Sequence, residues 1–271
     1  MMFPAKEIIK KRKSVRTFDG RPLSDEDRNL LSKYIDELDN PWGVKVNFRL
    51  LDAAEHSLSS PVIVGEDTYI AAKVARTGSY ELAFGYEFEK VCLYAESIGL
   101  GTVMLAASLS RKTFEKAMDL ETNEVFPLAS PVGYPASKRS MRETVMRKAL
   151  KADDRIAFNE LYFDGSFDKG LTPDEAGDFA EALEMARWAP SATNRQPWRA
   201  VVCGDTVHFY EAKSLKDSEL GDIQKVDMGI ALSHFELVMQ ENGFSGDFKE
   251  EDPGIVAPQD TYYITSYERS R

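Results

Sequence analysis

Four short sequence landmarks occur twice in this chain of 271 residues, in the same order and at offsets of about 144 to 156 positions. They are Phe18-Asp19-Gly20 and Phe163-Asp164-Gly165, the helix starts at Leu23 and Leu171, Asn40-Pro41-Trp42 and Gln196-Pro197-Trp198, and the apolar stretches Gly85 to Gly99 and Gly229 to Gly243. Each long stretch is predicted to be a helix that begins at its first glycine. The order predicts an internal duplication of about 145 residues. The alternative is that two α/β segments share common caps and turns.

Local signals place helices and strands at matching points of the two copies. Ser24 is a predicted N-cap, and Thr172 with Glu175 forms a predicted capping box that starts the corresponding helix. Apolar residues at helical spacing follow both starts. The predicted strands are Val44 to Leu51, Ala200 to Cys203 and Thr261 to Thr265.

The copies differ where a binding site could lie. The first has a basic run from Lys11 to Phe18, but the positions before Phe163 hold Ala157, Phe158, Asn159 and Leu161. The second has Ala189 to Gln196 before its Pro-Trp pair, and the first has no such Pro-Ser segment. Because each copy keeps what the other lacks, we expect one complete site rather than two.

Composition limits the partners of the chain. The net charge is −11, so a nucleic acid or an anionic membrane is not expected to bind the surface as a whole. The basic clusters at 10–16 and 138–148 therefore favour a small anion. Two cysteines and three scattered histidines predict neither a zinc site nor a disulfide framework. No signal region or membrane span is evident, so we expect a soluble, cytoplasmic protein.

The basic run and the segment Ala189 to Trp198 together resemble the signature of the FMN-dependent nitroreductases, in particular a subgroup with two shortened halves fused in one chain. That resemblance implies an α+β fold with three α/β/α layers and mainly antiparallel sheets. In the family, two subunits enclose each FMN. A fused chain would then be a single-chain pseudo-dimer, able to act as a monomer, with halves at 1–150 and 151–271.

The phosphate of FMN carries roughly −1.5 to −2 charges and needs positive charge and hydrogen-bond donors close together. The resemblance assigns thirteen residues to the cofactor: Arg12, Lys13, Ser14, Arg16, Pro131, Val132, Gly133, Lys138, Arg139, Pro190, Ser191, Ala192 and Asn194. Simpler interpretations remain for each group: a solvated basic helix end, a plain Gly-Tyr-Pro turn, and a helix-terminating turn with an Asn cap.

The function implied is that of an FMN-dependent NAD(P)H oxidoreductase, which passes a hydride through flavin N5 to an electron-poor acceptor such as a nitroaromatic or a quinone. The cofactor carries this chemistry, so no catalytic side chain and no metal is expected. NADH and NADPH remain equal candidates for the donor. One alternative is an FMN-binding sensor or flavin store with little turnover, and another is a scaffold without a cofactor.

Overall fold

The computed structural model describes residues 3–137 and 154–270. Within these ranges the fold is α+β with mainly antiparallel sheets, which confirms the predicted class. The predicted division at residue 150 lies outside the described residues.

The first sheet has the strand order β1-β2-β5-β3, with β4 added beside β2, and all its pairs are antiparallel. Its half of the chain contains α1 (Ala5–Lys11), α2 (Asp25–Asp36), β1 (Val46–Asp52), β2 (Thr68–Ala75), α3 (Tyr80–Ser97), β3 (Gly101–Thr102), α4 (Arg111–Ala117), β4 (Glu124–Val125) and β5 (Ala129–Gly133).

The second sheet has the order β6-β7-β8-β10-β9, and only β6 runs parallel to its neighbour. Its elements are α5 (Phe158–Leu161), β6 (Tyr162–Asp164), α6 (Ala180–Arg187), β7 (Trp198–Cys203), β8 (Thr206–Ala212), α7 (Ile223–Glu241), β9 (Gly246–Lys249) and β10 (Thr261–Arg269). Short 3-10 turns lie at Gly177–Phe179 and Ala192–Asn194.

The two sheets share one connectivity. Strand β1 follows the first Pro-Trp pair and β7 begins at the Trp of the second, and counted from these two strands the order β1-β2-β5-β3 corresponds to β7-β8-β10-β9. Along the chain, the long helix α3 stands between β2 and the edge strand β3, and the long helix α7 stands between β8 and the edge strand β9. A shared strand order is a stronger sign of duplication than shared dipeptides, because it involves the whole topology.

Helices α3 and α7 pack against each other between the two sheets, and two glycines permit their close approach. A Cβ on Gly85 would overlap the carbonyl oxygen of Val226, and a Cβ on Gly229 would overlap that of Leu82. The contacts are reciprocal, since Leu82 and Gly85 precede Val226 and Gly229 by the same 144 positions. Such self-complementary contacts are those of a two-fold interface.

The prediction that each long helix begins at a glycine is wrong. Helix α3 begins at Tyr80 and α7 at Ile223, so Gly85 and Gly229 lie inside them. The helix pair requires these glycines because their missing side chains leave room for the neighbouring backbone. Gly99 and Gly243 do follow the helix ends, with φ of +85° and +83°.

The Phe-Asp-Gly landmark does not mark equivalent places in the fold. Phe18 lies beside Val64 and Pro135, whereas Phe163 lies in β6 and pairs with Val201 of β7. In both copies the glycine has a positive φ. The tripeptide therefore encodes a local turn, and the two turns occupy different positions in the two halves.

Of the two predicted helix starts, the first is confirmed. The Ser24 hydroxyl accepts a hydrogen bond from the Asp27 amide at 3.1 Å and begins α2. Thr172 and Glu175 form their capping-box hydrogen bonds, but the chain continues as turns and α6 begins only at Ala180. Gly177, with a φ of +53°, interrupts the helix between them.

No described helix is long and apolar enough to cross a membrane. Over the same residues, no cluster of three or more histidine, cysteine or acidic side chains could hold a metal ion. Cys92 is buried in α3 and Cys203 lies in β7, both as free thiols.

Candidate functional site

A cavity of about 610 Å³ lies where the two halves meet. Its volume is within the range of small-ligand and cofactor sites. The first half contributes residues 9–14, Arg16, Val62, 103–108 and Leu128; the second contributes Arg155, Trp188, 190–194, Ile223, Asp227, Ile230 and His234.

The cavity brings together two predicted groups that are about 170 residues apart in sequence. Eight of the thirteen predicted residues line it: Arg12, Lys13, Ser14, Arg16, Pro190, Ser191, Ala192 and Asn194. The two motifs therefore face one space across the boundary between the halves.

The basic segment enters the site as an extended chain directly after α1. The Val15 amide donates to the carbonyl of Thr102 at 2.9 Å, which fixes the segment beside β3. The side chain of Val15 is buried where a Cβ on Gly101 would clash with it. Because side chains alternate along an extended chain, burying Val15 leaves Ser14 and Arg16 to line the cavity.

Arg12 is a deeply buried cation of the cavity lining. Its side chain is 6% exposed, and its Nε lies 3.0 Å from Oε1 of the fully buried Glu89. Burial is the largest single effect on the pKa of Arg12 and would lower it, but the combined influence of Glu89, Cys92 and Glu96 makes the net change upward. Arg12 is therefore a permanently charged group at the floor of the cavity.

The loop that follows α6 is shaped by hydrogen bonds to its backbone. The Ala192 amide donates to the Asp227 carboxyl group, with both oxygens at 3.0 Å. The Gln196 amide donates to the Ser191 hydroxyl at 2.9 Å, and the Gln196 side chain accepts from the Ile156 amide at 3.0 Å. These contacts hold the backbone of the loop in place.

Backbone strain is concentrated in the same loop. Thr193, Asn194 and Gln196 have φ values of +50°, +57° and +51°. Asparagine tolerates this region, but for the β-branched Thr193 it is a true outlier. Strained residues cluster at binding and catalytic sites, so this observation supports a functional role for the loop.

Asp227 is the acidic side chain of the cavity lining, and the sequence analysis missed it. Burial raises its pKa well above the ordinary value of 3.8, against the opposing effect of the Ala192 amide. A carboxyl group with a higher pKa in the folded state keeps its proton on folding. Stability is therefore lost as the pH rises above the unfolded-state value.

We expect Asp227→Asn to gain stability over the wild type as the pH rises from about 4, by up to about 1.4 kcal/mol per pH unit. The amide oxygen can still accept from Ala192, and the group no longer has to hold a proton. Urea unfolding of both proteins across a pH series measures the difference. A difference that stays constant with pH would refute this account of Asp227.

The remaining predicted residues are not in the described lining. Pro131, Val132 and Gly133 lie buried in β5, between β2 and β3, and a Cβ on Gly133 would meet the ring of Phe18. Residues 103–108 line the cavity instead. Lys138 and Arg139 lie outside the described residues.

Sequence reasoning also missed Arg155, Trp188 and His234. The Arg155 guanidinium donates to the Trp188 carbonyl at 3.1 Å and lies 5.4 Å from the centre of the Trp188 ring. His234, like Asp227, is a polar residue within a largely buried helix. That pattern was the one available signal, since a buried charge in an apolar helix requires a partner.

Residues 5–239 match the model of a protein family described as "Putative TM nitroreductase". The match spans most of the chain, which therefore belongs to this nitroreductase family. No curated protein matches it.

The chain is also similar to solved structures. The chain is similar to a "putative nitroreductase" from Thermotoga maritima, with 21% identity, a TM-score of 0.62 and coverage of 98% of this chain and 93% of that one. A "putative nitroreductase" from Desulfovibrio desulfuricans in complex with FMN aligns at 21% identity, with a TM-score of 0.39, over 53% of this chain and 96% of its own. An FMN-dependent nitroreductase from Clostridium difficile aligns at 13% identity, with a TM-score of 0.42, over 52% and 94%.

Proposed function

We propose that the chain is an FMN-dependent NAD(P)H oxidoreductase that reduces an electron-poor small molecule, such as a nitroaromatic or a quinone. The observation that carries the proposal is the meeting of the basic segment and the strained loop in one cavity. Membership of a nitroreductase family supports the reaction class. FMN is named because nitroreductases with this cofactor are among the structures that the chain resembles.

The residues present fit a flavin nucleotide. Among the described residues, the lining contains six basic side chains and one acidic side chain, and burial favours the neutral form of that acid. The basic residues are Lys10, Lys11, Arg12, Lys13, Arg16 and Arg155. This excess of positive charge suits a phosphate dianion, and the apolar wall of Val103, Leu105 and Ile230 suits an aromatic ring.

Arg12, Lys13, Ser14 and Arg16 would supply charge and hydrogen-bond donors, and the strained loop from Pro190 to Asn194 would offer small side chains and backbone groups. When bound, FMN supplies hydride transfer between the nicotinamide and the acceptor through its N5 atom. The protein's part is to bind, orient and balance charge. No side-chain nucleophile is required.

The same proposal covers the organisation of the chain. Residues 1–150 and 151–271 would be the halves of a fused pseudo-dimer that is complete as a monomer and holds one FMN. The matching strand orders and the reciprocal contacts of Gly85 and Gly229 support this view.

The function is tested by adding FMN to purified protein, following its absorption spectrum, and then mixing the complex with NADH or NADPH in a stopped-flow instrument. We expect FMN to bind, the flavin to bleach, and a quinone or nitroaromatic to restore the colour. Binding without bleaching would favour the sensor or storage alternative. Absence of FMN binding would contradict both the oxidoreductase proposal and the sensor or storage alternative.

Lys13→Ala is expected to weaken FMN binding by about tenfold, the loss of one charge-assisted hydrogen bond. Lys112→Ala is the matched control, because Lys112 is an exposed lysine of α4 that does not line the cavity. Fluorescence titration of both variants measures the dissociation constants. Equal affinities in the two variants would remove Lys13 from the site.

A further inference from the structure

His234 lines the cavity, yet both of its ring nitrogens are held by the protein. Nδ1 lies 3.0 Å from the carbonyl oxygen of Met185, and Nε2 lies 2.8 Å from Oε1 of Glu89. The side chains of His234 and Glu89 are 1% and 0% exposed, so water does not compete for these contacts. Turning the ring over would place carbon atoms against both oxygens, and the hydrogen bonds therefore fix its orientation.

This geometry determines how many hydrogens the ring nitrogens of His234 must carry. A main-chain carbonyl can only accept, so Nδ1 must carry a hydrogen. A carboxylate also only accepts, so Nε2 must carry a second hydrogen when Glu89 is ionised. A singly protonated ring would leave a lone pair facing a buried carboxylate.

A permanently charged guanidinium lies against the buried carboxyl group of Glu89. Arg12 Nε and His234 Nε2 lie 3.0 Å and 2.8 Å from the same oxygen, Oε1, the first as an ion pair and the second within hydrogen-bond distance. Among the described residues, Oε2 of Glu89 has no hydrogen-bond partner, so Arg12 and His234 beside Oε1 are the groups that can balance a charge on this side chain. The other ionisable groups acting on Arg12 are Glu96 and Cys92 of the same helix. Burial raises the pKa of Cys92 to about 12, which leaves its thiol uncharged at neutral pH.

The contact between Glu89 and His234 is not repeated at the equivalent positions of the two long helices. Glu89 is on α3 and His234 on α7, while the positions 144 residues away hold Ser233 and Lys90. The Ser233 hydroxyl donates to the Ile230 carbonyl of its own helix, and Lys90 lies 4.0 Å from Glu236. Packing of the two helices therefore does not by itself require the contact between Glu89 and His234.

We propose that His234 is a buried imidazolium which, with Arg12, places two fixed positive charges around one carboxylate at the cavity floor and so favours any ligand that gains negative charge on reduction. The inference rests on the proposed function for the identity of that ligand, FMN. His234 acts through its charge, as a positioning residue: with both N–H groups engaged, it has no proton donor left to offer a substrate.

The charge of His234 is tested first in the protein without cofactor. The chain has three histidines, so 15N-histidine labelling gives three pairs of ring-nitrogen signals, and the His234→Gln spectrum assigns one of these pairs. We expect two protonated ring nitrogens for His234 at neutral pH. His208 is the internal control, because burial lowers its pKa and it should carry one proton. A single protonated nitrogen at His234 would overturn the inference.

The effect of the charge is tested with FMN bound, by measuring the affinities of wild type, His234→Gln and Lys90→Gln for oxidised and reduced FMN. Lys90→Gln is the matched control, since it removes a buried cation from the equivalent position of α3 away from the cavity. We expect His234→Gln to reduce the preference for reduced FMN by about tenfold or more, as for one charge several ångströms away at an effective dielectric constant of about 20. The control should keep the wild-type preference.

The outcomes separate this inference from the proposed function. An unchanged preference in His234→Gln, with FMN still bound, would overturn the inference and leave the oxidoreductase intact. If even the wild type fails to bind FMN, the oxidoreductase proposal falls, and the NMR result alone upholds or overturns the buried imidazolium. If His234→Gln does not fold, Glu89→Gln replaces it as the variant that assigns the His234 signals. The wild-type NMR spectrum then decides the inference.

Discussion

Arg12→Met is expected to lower the free energy of unfolding by about 3–5 kcal/mol, the usual cost of removing one partner from a buried ion pair. The substitution removes the guanidinium that faces the fully buried Glu89, so that only His234 remains beside the same oxygen. It also removes the deepest cation of the cavity floor, so FMN affinity should fall together with stability. Chemical denaturation of the protein without cofactor isolates the effect on stability.

Two further variants show whether the ion pair causes the loss. Lys11→Met is the matched control. Lys11 precedes Arg12 and makes an exposed contact with Glu96 at 3.4 Å, so its loss should cost less than about 1 kcal/mol. The double variant Arg12→Met with Glu89→Gln removes both charges and should recover a large part of the stability. If the double variant is as unstable as the sum of the two single variants, the pair is not the cause.

Gly85→Ala is expected to destabilise the protein by at least about 2 kcal/mol, although alanine is the better helix former. The new methyl group would overlap the carbonyl oxygen of Val226, which belongs to the backbone of α7 and cannot move like a side chain. The helices would have to separate, and the packing of both halves would loosen. Thermal unfolding followed by circular dichroism measures the loss.

The reciprocal contact at Gly229 allows the same prediction to be tested a second time. Gly229→Ala meets the carbonyl oxygen of Leu82 in the same way and should cost a similar amount. Gln240→Ala, at an exposed position of α7, should change stability by less than about 0.5 kcal/mol. A stable Gly85→Ala protein would show that the close crossing of α3 and α7 is wrong.

The division of the candidate site between the two halves could be predicted because its two motifs are each visible as a short stretch of sequence. A run of cations with no counterpart in the other copy, and a Pro-Ser segment with no counterpart in the first, are visible along the chain. That they would share a cavity followed from the resemblance to a family with two-subunit sites. The helix pair's glycines were visible too, but their role depends on the distance to another backbone, which sequence spacing does not contain.

The parts that escaped prediction depend on tertiary contacts. Asp227 and His234 are functional candidates because of their neighbours: the Ala192 amide, in the loop after α6, and Glu89 of α3. The Gly-Tyr-Pro region resembled a cofactor contact, but Pro131 to Gly133 became an interior strand, and the loop at 103–108 faces the cavity. Gly177 interrupted a helix whose capping signals were otherwise complete.

The stoichiometry of FMN binding tests the central claim most directly, namely that one basic segment and one strained loop from different halves form a single site. Calorimetric titration of the purified chain with FMN, combined with its molar mass in solution, gives the number of flavins per chain. We expect one FMN per chain in a monomer. Two equivalents per chain, or one FMN shared between two chains, would contradict the claim.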